Sequence, residues 1–211
     1  MMGLGVFARA PVPGATKTRL ARALGEGGDE AAARLHRAFL RDLLERLTPL
    51  GRVVLFVAGD PAHPAFRAAE RDHGVILRPQ RAGDLGQRMA SALDELLAES
   101  GRAFVVGSDL PTLPARVVRA AAARPAEVVL TPARDGGYVL VGGSRVPCFD
   151  GVPWSVPTTL RETLRVNPGA ALTEPWYDVD DGDDLELLRL HLDLDPSAAP
   201  HTAAALRRLA R

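Results

Sequence analysis

The chain has 211 residues, 46% of them apolar and 25% charged, enough for one substantial core in a single domain spanning 1–211. Its 26 basic and 26 acidic side chains cancel, so bulk charge attracts neither nucleic acid nor an anionic membrane. Cys148 is the only cysteine and can form no internal disulfide, as suits a reducing cytoplasm, and no apolar run approaches the roughly 20 residues of a membrane span.

The apolar start is too short for a signal peptide. Leu4–Ala8 reads as a short strand that runs into the loop Arg9–Gly14. Ala32, Leu35, Phe39, Leu43 and Leu47 fall at helical spacing and predict a helix from about Asp29 to Leu47. Val53–Val57 is continuously apolar, as in a parallel strand buried on both faces. A shorter helix, Pro64–Asp72, precedes a weak strand, Val75–Leu77, and Asp84–Glu99 reads as another helix. Ala103–Gly107 is the strongest central strand, and Pro114 is well placed to open the helix after it. Val128–Leu130 and Tyr138–Val141 are two further strands. Trp176–Asp180 is read as a last short strand, followed by helices at Asp183–Leu192 and Thr202–Leu209. Strands alternating with helices predict an α/β fold, three layers with a mostly parallel, Rossmann-like sheet. Ligands of such sheets bind at the carboxyl ends of the strands. Four polar clusters fall there: the Arg9–Arg19 loop, Asp109, Asp135 and the Asp178–Asp184 run.

Lys17 and Arg19 follow the first strand, where phosphate binding needs cations and free backbone N–H groups. The loop is not a P-loop, because the glycine required before the lysine is Thr16. A proline-stiffened turn with surface charges is the plainer reading. Ser108-Asp109-Leu110-Pro111 places a carboxylate at the sheet rim, either as a ligand for a hard cation or as a turn-forming Asp. Asp135-Gly136-Gly137-Tyr138 is a hairpin turn, and also a glycine loop that an acceptor or sugar can approach. Asp178, Asp180, Asp181, Asp183 and Asp184 fail the EF-hand pattern. They decorate a helix N-terminus, or Asp180 is a metal ligand. The five histidines show no metal spacing. Trp154-Ser155 sits in a Gly/Pro-rich loop, as a packing anchor or as a stacking surface.

Taken in order, several blocks resemble a family of small bacterial GT-A-fold transferases long labelled as domains of unknown function. They are Phe7–Gly14, Lys17–Leu20, Gly83–Met89, Gly107–Pro111, Pro132–Tyr138, Gly151–Ser155 and Asp178–Leu185. The resemblance implies a nucleotide-diphospho-sugar transferase fold, related to the molybdenum-cofactor and phospholactate guanylyltransferases. It implies that Asp109 and Asp180 hold Mg²⁺ or Mn²⁺, with Asp109 and Asp135 as the catalytic carboxylates. Ala8, Arg9, Gly14, Lys17, Arg19, Gly86 and Ser108 would contact the nucleotide and its phosphates. Gly136, Gly137, Tyr138, Trp154 and Ser155 would contact the acceptor or sugar. The first loop lacks the paired glycines and Arg-Met-Gly of sugar nucleotidyltransferases, and Asp109 has no second Asp two positions on. The expected activity is metal-dependent glycosyl transfer from a nucleotide sugar to a small-molecule acceptor. The alternative is nucleotidyl transfer from an NTP to a phosphorylated small molecule, releasing pyrophosphate.

Overall fold

The computed structural model describes residues 2–209. Seven strands form one sheet in the order β3-β2-β1-β4-β6-β5-β7: β1 (Met2–Arg9), β2 (Gly51–Ala58), β3 (Ile76–Pro79), β4 (Ala103–Gly107), β5 (Val128–Pro132), β6 (Tyr138–Gly143) and β7 (Ala171–Leu172). All pairings are parallel except those of β6, which runs antiparallel to both β4 and β5. The helices are α1 (Thr18–Leu24), α2 (Gly28–Leu47), α3 (Pro64–His73), α4 (Leu85–Leu97), α5 (Ala115–Ala123), α6 (Thr159–Val166), α7 (Gly182–Leu194) and α8 (Pro200–Leu209). None of them is long and apolar enough to cross a membrane.

Period-two alternation divides the strand side chains between two cores. Leu4, Val6, Leu55, Phe104 and Val106 pack under α2, α3 and α5. Val54, Phe56, Ala103, Val105 and Val141 face α4, with Leu160 and Leu164 of α6 at the margin. A third cluster joins Leu20 of α1, Leu35 and Phe39 of α2, Val179, and Leu185 and Leu188 of α7. It contains no strand residue and clamps the first loop against the acidic segment before α7.

Helix starts follow local chemistry. Asp84 caps α4 in a capping box: its carboxylate accepts from Gln87 N at 2.9 Å, and the Gln87 side chain accepts from Asp84 N at 3.0 Å. Asp181 caps α7 by accepting from Asp183 N and Asp184 N. The cap of α8 comes from another helix. Asp42 of α2, buried, accepts from His201 N at 3.0 Å, Thr202 N at 2.8 Å and Thr202 Oγ1 at 2.6 Å. Asp42, Glu45 and His201 offer ligand atoms within 4.8 Å of one another, but Asp42 spends both oxygens on α8.

The structure departs from the sequence reading in three places. Trp176–Asp180 is not a strand: Trp176 N donates to Pro132 O and Val179 N to Asp109 O, so the segment crosses the ends of β5 and β4 instead of pairing along either. The last strand is β7, two residues placed earlier. Helices α1 and α6 are elements that the sequence reading does not assign. The first is seven residues long and has no side-chain cap; the second buries Thr159 and Thr163, which carry no apolar period.

The shared cap gives a testable outcome. Asp42→Ala leaves two backbone donors and a buried hydroxyl without their acceptor, and should cost about 1–3 kcal/mol. Urea unfolding measures the loss; an unchanged midpoint would show that α8 does not depend on this cap.

Candidate functional site

The chain leaves β1 for β2 on one side of the sheet and returns to β4 on the other, so the direction of winding reverses between β1 and β4. Strand ends diverge at such a point and open a crevice at their carboxyl edge. A cleft of about 620 Å³ lies there, lined by Ala8 and Arg9 after β1, Lys17 and Arg19 of the first loop, and Ser108 and Asp109 after β4. His36, Gln80, Arg88, Trp154, Ser155 and Asp180 complete it. A second lobe of about 300 Å³ adjoins it and shares Phe7, Leu85, Trp154, Ser155 and Asp180.

Lys17 occupies the centre. Its Nζ lies 2.7 Å from Asp109 Oδ2 and 2.5 Å from Asp180 Oδ1, and donates to Val179 O at 2.8 Å. All three ammonium donors are thereby engaged. Its side chain is 6% exposed, against 30% for Asp109 and 37% for Asp180. Burial alone would lower the lysine pKa, but the Asp109 and Asp180 carboxylates outweigh it and hold the pKa above its usual value. Burial would likewise raise Asp109, and Lys17 holds it below the usual carboxylate range. Arg19 reaches Asp180 Oδ2 at 3.0 Å from the solvent side and stays 64% exposed.

Each partner is positioned by packing. Lys17 is a left-handed residue, φ 54°, immediately before α1, whose Leu20 and Ala21 are buried. Val179 is fully buried beside them and ties its N–H to Asp109 O at 3.0 Å. Arg46 at the end of α2 donates to Pro111 O and Leu113 O, both 3.1 Å, which fixes the loop after Asp109. Lys17 and Ser155 are the non-glycine residues with positive φ among those described, and both line the cleft. Strain of this kind persists where surrounding contacts over-determine the backbone.

His36 is a site residue that sequence spacing missed. It sits on α2, 3% exposed, with Nε2 3.0 Å from Ser108 Oγ and 3.5 Å from Asp109 Oδ1. Burial, opposed by the Asp109 charge, holds its pKa below the usual histidine value. The imidazole is therefore neutral at neutral pH. A lone pair facing Asp109 would be repelled, which places the proton on Nε2 and makes Ser108 Oγ the acceptor. Ser108 Oγ then donates to Asp109 Oδ1 at 3.3 Å. Gln80 and Arg88 were also missed: Gln80 Nε2 donates to Phe56 O, and its Oε1 accepts from Arg88 Nη1 at 3.1 Å. This pair carries a guanidinium into the cleft; Arg88 lies in the Gly83–Met89 block, but Gln80 lies outside every block.

The acidic run divides its work. Asp181 caps α7, and Asp184 accepts from Asp180 N at 3.0 Å, which orients Asp180. Asp178 and Asp180 face the second lobe. Burial, reinforced by Asp180, Asp135 and Asp109, pushes the Asp178 carboxyl up to about 6. Asp135 accepts from Gly137 N at 2.9 Å within its turn and is exposed on the same lobe, so the turn and site readings coexist. Gly137, Tyr138, Trp154 and Ser155 line this lobe too. The Tyr138 hydroxyl points away into the core: its oxygen is buried without a hydrogen-bond partner, near Thr163, and burial raises its pKa.

Gly14, Gly86 and Gly136 line neither lobe. A Cβ at Gly86 would lie 2.7 Å from Trp154 Cζ2 and 2.8 Å from Phe149 Cβ. A Cβ at Gly136, φ +86°, would lie 2.1 Å from Pro157 O. These two glycines seat the Trp154 loop; they do not line the ligand space.

The donor set suits a hard divalent ion, since Asp109 Oδ2, Asp180 Oδ1 and Val179 O converge on one cation and all are oxygens. The arrangement can hold a cation between two carboxylates beside a lobe rich in arginine.

The sheet order, the reversal between β1 and β4, and the cleft at that point define the nucleotide-diphospho-sugar transferase fold. A family model described as an uncharacterized protein conserved in bacteria (DUF2064) matches residues 39–156, more than half of the chain, and the protein belongs to that family. It is similar to a structure from Desulfovibrio desulfuricans G20 provisionally titled a nucleotide-diphospho-sugar transferase, with 29% identity, TM-score 0.85, and coverage of 99% of this chain and 95% of that one. A cytidylyltransferase from Leptospira borgpetersenii shares 14% identity, TM-score 0.58, over 99% of this chain and 93% of that one. The CMP:2-keto-3-deoxy-manno-octonic acid synthetase complexed with CTP shares 12% identity, TM-score 0.55, over 92% and 100%. No curated protein matches the chain.

The seat of Trp154 is open to test. Gly86→Ala should displace the indole, blue- or red-shifting its fluorescence in a Trp176→Phe background, and cost about 1–3 kcal/mol of stability through overpacking. Unchanged fluorescence and stability would show that the loop tolerates the added methyl.

Proposed function

We propose that the protein is a metal-dependent transferase that moves a sugar from a nucleotide-sugar donor to a hydroxyl of a small-molecule acceptor. The observation that carries this reading is the placement of the cations, which line the larger lobe and not the smaller. Arg9, Lys17, Arg19 and Arg88 line the larger one, as a diphosphate requires. Asp135, Asp178 and Asp180 line the smaller one, between apolar walls of Met89, Val105, Val139 and Val141. Among the described residues no lysine, arginine or histidine lines it. A nucleotidyltransferase would need to seat an acceptor phosphate there, beside Asp135 and Asp178, with Lys17 and Arg19 already paired to Asp180. A neutral hydroxyl compound with an apolar face suits the lobe.

Asp109 and Asp180 would hold Mg²⁺ or Mn²⁺. A bound divalent ion neutralises charge on the diphosphate leaving group. The arginines bind the diphosphate, and Trp154 with Ser155 forms the wall between donor and acceptor. Asp135 engages its turn through Oδ1, leaving Oδ2 for the acceptor hydroxyl. In the transfer the bond from the anomeric carbon to the diphosphate oxygen breaks and the bond to the acceptor oxygen forms. The hydroxyl proton passes to Asp135, and the nucleoside diphosphate departs. The similarity to the Desulfovibrio structure supports the donor class; the cytidylyltransferase likenesses support the fold.

UDP- and GDP-sugars with Mg²⁺ or Mn²⁺ should raise the melting temperature, by roughly 5–10 °C at a concentration about 100 times Kd. Turnover should release a nucleoside diphosphate. Pyrophosphate release from an NTP in the presence of a phosphorylated acceptor would overturn the reading. Asp109→Asn should abolish the metal-dependent part of nucleotide binding while the fold persists; an unchanged affinity would remove Asp109 from the site.

A further inference from the structure

Of the 26 basic residues in the chain, 25 are arginine, and Lys17 is the sole lysine. Arginine serves at every other basic position and not at this one. The reason is geometric. An ammonium is a compact point charge with three diverging donors, whereas a guanidinium is a planar fork. The oxygens of Asp109, Asp180 and Val179 converge on a single point 2.5–2.8 Å away. Arg19, two residues along, touches only the outer oxygen of Asp180.

We propose that Lys17 is an exchangeable counter-ion: it holds Asp109 and Asp180 together until a divalent cation binds to the same oxygens, then yields that point and turns its ammonium to the phosphates in the cleft. The inference rests on the metal-dependent reading above. Two like cations cannot share one set of oxygens, and two carboxylates left facing each other without a cation would repel. Lys17 therefore keeps the pair in register when no metal is bound. While it does so, its three donors are consumed and it cannot also bind phosphate. Ala15, Thr16, Thr18 and Arg19 line the same lobe as Lys17, so rotation about its four-carbon stem carries Nζ into the phosphate space without moving the backbone. Metal and nucleotide then bind with positive coupling through one side chain, each strengthening the other by the same factor.

Mn²⁺ alone is the probe, with binding followed by electron paramagnetic resonance on the wild type, Lys17→Met, Lys17→Gln and Arg19→Gln. Both Lys17 variants should bind Mn²⁺ at least about tenfold more tightly, because a competing charge has left the donor set. Arg19→Gln should change the affinity by less than about threefold, because its charge is exposed and screened. Equal or weaker binding by the Lys17 variants, or equal tightening in Arg19→Gln, overturns the exchange alone. No Mn²⁺ binding by any of the four proteins overturns both the exchange and the metal reading. A second readout uses the unmodified chain, where Lys17 is the only side-chain amine. Its acetylation, followed by peptide mass, should be slow without metal and several-fold faster with Mg²⁺; a rate unaffected by Mg²⁺ overturns the proposal even if the variants fold poorly.

Discussion

One buried ammonium joins three distant parts of the chain. Lys17 comes from the loop after β1, Asp109 follows β4 and Asp180 precedes α7, and they meet within 2.7 Å. A charge withdrawn from water is tolerated only when its partners are close and its hydrogen bonds are complete. That requirement propagates outward. Leu20 and Val179 must be buried to hold the two sides of the contact, Asp184 must fix the backbone of Asp180, and Arg46 must brace the loop after Asp109. The third hydrophobic cluster, outside the sheet proper, exists around this contact.

Much of the fold was legible because its strands are short, apolar and separated by turn residues. Val53–Val57 and Ala103–Gly107 could scarcely be anything else, and the long amphipathic α2 announced itself through its spacing. What was missed was too short to show a sustained apolar period: α1 has only Leu20 and Leu24, and α6 only Leu160 and Leu164, at helical spacing. Helix α6 buries threonines whose hydroxyls bond to backbone carbonyls, and α1 is ordered by what it carries. The segment Trp176–Asp180 has strand-like composition, but its N–H groups bond to the ends of two different strands. Pairing of that kind is tertiary and leaves no local trace.

The site was legible to the extent that its residues follow strands. Lys17, Asp109 and Asp180 were each identifiable by position, although the expectation that Lys17 faces phosphate differs from the contacts it makes. His36 was hidden because it occupies an inward position on a helix whose other inward positions are core. Gln80 was hidden because it belongs to no motif, and Arg88 because within the Gly83–Met89 block attention fell on Gly86. Gly86 and Gly136 stood out in sequence for a reason the sequence could not distinguish: each makes room for the Trp154 loop, not for a ligand. The single lysine among 26 basic residues is the signal that composition held and that spacing rules ignore.

The reversed strand β6 has a consequence for how such a protein diverges. Because β6 returns antiparallel between β4 and β5, the hairpin carrying Asp135 opens on the same rim as the parallel strands. It leans on the Trp154 loop through Leu160 N to Gly136 O and the close approach of Gly136 to Pro157. The hairpin and loop support each other, and Arg134 of the hairpin pairs with Asp184. Substitutions in the hairpin reshape the smaller lobe, which Asp135, Gly137 and Tyr138 line, whereas those at Trp154 and Ser155 reach both lobes. A lineage can thus vary the smaller lobe through the hairpin tip alone, without disturbing the strands that lead into Lys17 and Asp109.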